Sequence, residues 1–382
     1  MTKRIFKKGD QKVLKAWAFY DWANSVYPLV ISTAIFPIFY GSLFIESDYI
    51  EFLGINYKNT ALIQHITSIV FLFLAFFIPI LSGVADFLAN KKSFMKLFCY
   101  LGSISCMGLY FFDLENIYLG LGFYFLALFS FWASLVFYNS YLPDIALPKQ
   151  QDRISALGYS YGYIGSVILL LFNLTMVMFP ETFGLSNENN EGAIQAMRIS
   201  FLLVGLWWAG FSQYTFYYLP ENLNNVNKKD AFKKSVIFSG FLELKEVWQI
   251  LKMDISVKKF LVAFFTFSCA LQTIILIATY FGESEILWGE TDKNLGLILS
   301  MLIIQLIAIF GAMLTARVSD KIGNIRTLII LNLIWFLLCL IAYFVQYPIE
   351  FYLIAGFVGM VMGGTQALSR STYSKLIPKT EN

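Results

Sequence analysis

Apolar runs long enough to cross a bilayer recur from one end of this chain to the other, and that recurrence decides what it can fold into. About 20 residues rising 1.5 Å each span the hydrocarbon. Ten such runs follow one another, from Ala16–Leu43 to Phe351–Leu368. Of 382 residues, 58% are hydrophobic and 14% charged, whereas a water-facing surface needs roughly a quarter charged. A water-soluble enzyme, a disordered chain and a nucleic-acid binder are thereby excluded. Inside hydrocarbon the backbone must satisfy its own hydrogen bonds, and no ten-residue alternation of a spanning β-barrel is present. The first run is too long for the apolar core of a cleavable leader, so none is expected. The expected fold class is an all-α polytopic membrane protein.

Charge placement orients the runs. Of the 28 basic residues, all but Lys58, Arg198 and Lys293 fall on one side: in the N-terminal segment, in every second loop, and between Pro220 and Lys259. Glu46, Asp48, Glu51, Glu181, Glu188, Glu191, Glu283, Glu285, Glu290 and Asp292 crowd the other. The positive-inside rule makes the basic side cytoplasmic, with both termini there. The basic stretch 220–259 divides six runs from four, giving expected domains 1–219 (six helices), 220–259 (linker) and 260–382 (four helices). Within the linker Phe238, Phe241, Leu242, Val247, Trp248 and Leu251 fall near helical spacing, with Lys245 and Lys252 among them. Two readings stay open for it: a helix lying on anionic lipid, or a linker helix packed on the protein. Four cysteines (Cys99, Cys106, Cys269, Cys339) and one histidine, all four thiols in apolar stretches, imply neither a disulfide framework nor a metal site. No cofactor is expected.

The two parts repeat each other. Asp86 and Asp320 close corresponding cytoplasmic loops 234 residues apart, each beside basic residues, and the Tyr138…Pro143 and Tyr373…Pro378 segments are offset by 235. Parallel six-helix halves joined by a cytoplasmic linker are the major facilitator plan. Ten helices in a 6 + 4 arrangement would then lack counterparts of the last two, which the repeat projects roughly 70 residues beyond Asn382. The paired loops offer candidate gating residues: Gly83, Asp86, Lys91 and Lys92 in the first, Arg317, Asp320, Gly323 and Arg326 in the second. Matching positions favour a charge network that holds one conformation closed over loops that merely carry solvated charge.

The segments Phe19-Tyr-Asp-Trp-Ala-Asn-Ser25, Phe137-Tyr-Asn-Ser-Tyr-Leu-Pro-Asp-Ile-Ala146, Arg153-Ile-Ser-Ala-Leu-Gly158, Gly162-Tyr-Ile-Gly165 and Gly363-Gly-Thr-Gln-Ala-Leu-Ser-Arg370 resemble the vacuole-effluxer-like family, the autophagy-related branch of the major facilitator superfamily. The resemblance covers nearly the whole chain. It implies a polytopic transporter, with amino acids as the solutes of the characterised fungal members, and for this chain the inner membrane of a bacterium. The first loop departs from the superfamily pattern, lacking a Gly-Arg pair after Asp86.

In that architecture the first, fourth, seventh and tenth helices line a central cavity. Their polar residues are candidates for the substrate or ion pathway: Asp21, Asn24, Ser25, Asn139, Gln272 and Gln366, with Gln305 on the eighth. For the amides, helix–helix hydrogen bonding is the competing account. Asp21, the one acid well inside a run, would face a cavity or a partner, so it is either a proton carrier or a fixed pair with a base such as Arg370. The expected function is secondary-active transport of a small organic solute by alternating access, with membrane lipids and a coupling proton as further partners. A membrane-embedded enzyme would need a clustered acid/base or metal set, and the spans show none. A non-transporting membrane sensor is the other alternative. No nucleic acid is expected to bind.

Overall fold

The computed structural model describes residues 7–44, 47–87, 90–186, 191–221, 249, 254–289 and 293–376. Ten helices among them are long and apolar enough to cross a membrane: α1 Gln11–Ser42, α2 Asn59–Ala85, α3 Lys91–Phe111, α4 Ile117–Ile145, α5 Pro148–Met178, α6 Glu191–Tyr218, α7 Ile255–Ile275, α8 Leu295–Ile322, α9 Asn324–Ala342 and α10 Pro348–Leu376. The linker helix expected over 238–251 lies outside the described residues, save Gln249. Several helices run past the apolar runs that announce them. α5 begins at Pro148 and not Ile154, and α10 continues to Leu376 and not Leu368. The extensions carry charge into the end of the bundle where basic residues gather, called here the basic end. At the opposite end, an antiparallel hairpin of β1 Tyr49–Phe52 and β2 Ile55–Lys58 joins α1 to α2.

Proline shapes α1. Without an N–H, Pro28 cannot close an α-turn, and Tyr27–Ile35 is wound as a π-helix with Pro28 in its first turn. The Thr33 hydroxyl donates to the Pro28 carbonyl at 2.8 Å. Widened turns of this kind are rare and cluster at functional sites; this one begins just beyond Asp21, Asn24 and Ser25. Pro79 lies inside the helix that ends at Phe87.

The described residues gather into two compact units. One comprises those of Met1–Ala18, Leu142–Ile164 and Lys245–Asn382; the other, those of Phe19–Tyr141 and Gly165–Leu244. In the first, α8 packs along α10. Lipid is as apolar as leucine, so helices in a bilayer adhere through close van der Waals packing, and small residues permit it. A methyl added at Gly359 or Gly363 would collide with the carbonyl oxygens of Ile304 and Ala308, and one at Gly311 with that of Met360. Trp335 on α9 is buried in the same unit with Leu328, Leu331 and Val361, its indole N–H donating to Thr365 Oγ1 at 3.3 Å. The second unit relies on aromatics: Trp208 on α6 is fully buried, and Tyr27 stacks on Phe131 with ring centroids 5.0 Å apart.

Backbone proximity makes a specific demand on stability. Gly363→Ala is expected to cost about 1–3 kcal/mol through overpacking, read as a lower melting midpoint in detergent. Gly122→Ala, where nothing lies within 4 Å of the added methyl, is expected to leave the midpoint unchanged or raised.

Candidate functional site

Polar side chains concentrate along one stripe of α5. Asp152, Ser155, Ala156, Tyr159, Ser160 and Tyr163 recur at the i, i+3, i+4, i+7, i+8 spacing of a single helical face. In the unit that holds the first half of α5, this face meets α8, α9 and α10.

At the basic end Asp152 is 4% exposed, and such a carboxylate is tolerable only when its oxygens are all engaged. Asn324, the first residue of α9, donates Nδ2 to Oδ1 at 2.8 Å. The Lys375 ammonium in the last turn of α10 donates to Oδ2, and the Ser319 hydroxyl lies 3.4 Å from the same oxygen. Lys375 also donates to Asn324 Oδ1 at 3.1 Å, and Asn324 Nδ2 to Thr372 Oγ1 at 3.0 Å. Gly323, at φ +88°, makes the tight passage from α8 into α9 that delivers Asn324 to this point; a left-handed backbone there suits glycine.

One turn along α5, Arg370 of α10 clamps Ser155. Its Nε donates to Ser155 Oγ at 2.9 Å and its Nη2 to the Ser155 carbonyl at 2.8 Å. The guanidinium sits 4.2 Å from the Tyr159 ring centroid and 4.9 Å from that of Trp17 on α1, within cation–π range of both. Ser155 in turn donates to the Ala367 carbonyl at 2.7 Å. Adjoining this contact is a patch of Ala156, Ala312, Ala316 and Ala367. Beyond it Tyr163 donates to Gln366 Oε1 at 2.8 Å.

In the other unit Asp21 is 4% exposed and accepts from the Tyr138 hydroxyl of α4 at 2.9 Å. It lies ten residues into α1, about 15 Å along the helix. Tyr138 stands 5.0 Å from Tyr20, ring to ring. Trp208 Nε1 donates to the Tyr20 hydroxyl at 3.4 Å. Asn24 is 1% exposed; its Oδ1 accepts weakly from Ser25 at 3.4 Å, and its Nδ2 has no partner among the described residues. Asn139 Oδ1 is likewise without one.

The residues expected to form a pathway thus fall into distinct settings. Asp21 meets Tyr138, Gln366 meets Tyr163, and Asn24 meets Ser25. Gln305 is half-buried with Oε1 unpartnered among the described residues, and Gln272 is exposed. The expected gating residues are placed as follows. Arg317, Asp320 and Arg326 are exposed, and none makes an ion pair among the described residues. The Asp86 side chain lies outside those described. Gly83 is buried and Lys91 half-buried. Lys92 is 6% exposed, and its ammonium caps the end of α6 by donating to the Leu219 carbonyl at 2.7 Å. That is a helix-terminus contact, not a solvated gate charge. A charged contact at the basic end is centred on Asp152, which hydropathy passes over. A signal was available: an acid opening a stripe of Ser, Ala and Tyr at helical spacing.

The family model described as "Vacuole effluxer Atg22 like" matches residues 9–382. An uncharacterised MFS-type transporter of Bacillus subtilis, YxiO, is 29% identical, covering 99% of this chain and 83% of its own. Autophagy-related protein 22 of Pichia angusta is 23% identical over 94% of this chain and 70% of its own. Among solved structures, the major facilitator transporter FucP in its outward conformation aligns with TM-score 0.58 at 14% identity, covering 96% of this chain and 88% of that one. The proton:xylose symporter XylE aligns with TM-score 0.56 at 12% identity, over 95% and 85%. These two establish the fold.

Removing the cation from Asp152 exposes how the seam is balanced. Lys375→Met is expected to destabilise the chain by about 3–5 kcal/mol, because a buried carboxylate loses its counter-charge. Asp152→Asn combined with Lys375→Met is expected to recover most of that loss, measured by thermal unfolding in detergent.

Proposed function

We propose, on the premise that the chain belongs to the vacuole effluxer Atg22-like family, that it moves a small organic solute by alternating access, with zwitterionic amino acids as the first substrate class. That it is a multi-pass membrane transporter of the major facilitator type, and not an enzyme, follows from the family and the fold. The alternating-access reading is carried by the composition of the α5 seam. At its basic end the contacts are one ion pair, a clamped guanidinium, hydroxyls and alanines, while farther along Tyr163 belongs to an apolar cluster that includes Val361, Met362 and Leu368. Water can replace each of these polar contacts when the seam parts, and alanines leave little apolar surface to hydrate. In the same reading the basic end faces the cytoplasm, as the positive-inside rule requires.

The amino-acid reading is supported by the resemblance to the vacuole-effluxer-like family and by pathway candidates rich in amides and poor in fixed charge. Asp21 is the proposed proton carrier. A buried carboxylate beside a phenol, in the α-helical stretch that precedes the π-helical segment Tyr27–Ile35, is placed to change protonation as the helix moves. The fucose:proton and proton:xylose symporters that share the fold use the coupling this reading assigns. The competing reading makes Asp21–Tyr138 a fixed latch between α1 and α4.

Proteoliposomes separate these. The chain is expected to catalyse counterflow of neutral amino acids and to accumulate them against a gradient when a proton gradient is imposed. Asp21→Asn is expected to abolish accumulation and retain counterflow. Loss of both would assign the latch, and unchanged proton-driven accumulation would remove Asp21 from coupling. Binding of an amino acid with no counterflow would identify a sensor.

A further inference from the structure

We propose that the β1–β2 hairpin is an interfacial membrane anchor, seating its apolar tip at Leu53–Ile55 in the headgroup–acyl boundary of the adjacent leaflet. Directly paired residues of an antiparallel hairpin share a face, and the register sorts this one cleanly. Ile50 opposes Tyr57 and Phe52 opposes Ile55, while Tyr49 opposes Lys58 and Glu51 opposes Asn56. One face is apolar and the other largely polar. The apolar face leans on the bundle: Phe52 stacks on Tyr118 with centroids 5.0 Å apart, and Tyr57 meets His65 of α2 edge-on at 5.6 Å.

The tip overhangs that support. Leu53 is 73% and Ile55 is 55% exposed. The Leu53 backbone N–H donates to the Tyr118 hydroxyl at 3.3 Å, and Tyr118 is the second residue of α4. The tip is therefore held within one side chain's length of the point where a spanning helix begins. Tyr118 and Leu119 are exposed there, continuous with the apolar surface the spans present to lipid. Tyrosine at that level is itself an interfacial residue.

The turn supplies the second argument. Leu53 and Gly54 have φ of +53° and +77°, the signs of a two-residue type I′ turn whose first position favours Asn, Asp or Gly. Leucine at positive φ is strained, and its side chain gains nothing from water. Its transfer into the bilayer boundary offsets that cost.

The test places single spin labels at Ile55→Cys and Glu51→Cys, in a background lacking the four native cysteines, and reconstitutes the protein in phospholipid vesicles. Collision rates with oxygen, which concentrates in the bilayer, and with a water-soluble nickel chelate report depth. The label at 55 is expected to favour oxygen and the label at 51 the nickel chelate. Adding Leu53→Asn, which suits the turn and removes the apolar tip, is expected to shift the label at 55 toward water. Equal, water-like accessibility at 51 and 55 in otherwise native protein would overturn the proposal, as would no response of the label at 55 to Leu53→Asn.

Discussion

Hydrocarbon gives a polar group nothing to bond to and gives two helices no hydrophobic reason to associate. The architecture follows from these two constraints. Backbone groups are closed within helices, and helices touch where glycine lets them. Polar side chains inside the bundle are largely drawn into partnerships with one another. Along α8 and α10 the first device dominates, since Gly311, Gly359 and Gly363 each admit a neighbouring carbonyl. Along α5 the second dominates, with Asp152, Ser155 and Tyr163 each bonded to a residue from the last three helices.

The α5 stripe is graded. Its basic end is ionic, around Asp152 and Lys375; the next turn is a guanidinium between aromatic rings, with alanines interleaved at both levels; farther along comes the Tyr163–Gln366 hydrogen bond. Lys92 performs a different task with the same chemistry, capping α6 at Leu219.

Much of this was legible in the sequence. The ten spans, the concentration of basic residues and the family follow from apolar runs, loop charges and the segments around Asp21, Asn139 and Gln366. The clamp was less legible, because hydropathy ends a span where charge begins. Asp152, Arg370 and Lys375 therefore read as loop residues, although the helices carry them into the packed seam. Pairing across α5, α9 and α10 has no local signature either: nothing near Asn324 in sequence points to Asp152. The hairpin escaped notice for a different reason. Its strands are four residues each, and its turn bears leucine where asparagine or glycine would have signalled it. Arg317, Asp320 and Arg326 are marked by a repeated loop pattern, and repetition by itself specifies position and not contact.

In the proposed function, the α5 seam is the part that opens for solute to pass. Cysteines at Ala156 and Ala367, two members of the alanine patch, can be joined by a short bis-thiosulfonate cross-linker in reconstituted protein otherwise free of cysteine. Cross-linking is predicted to abolish amino-acid counterflow, and reduction of the linker to restore it. Undiminished counterflow in fully cross-linked protein would contradict the account.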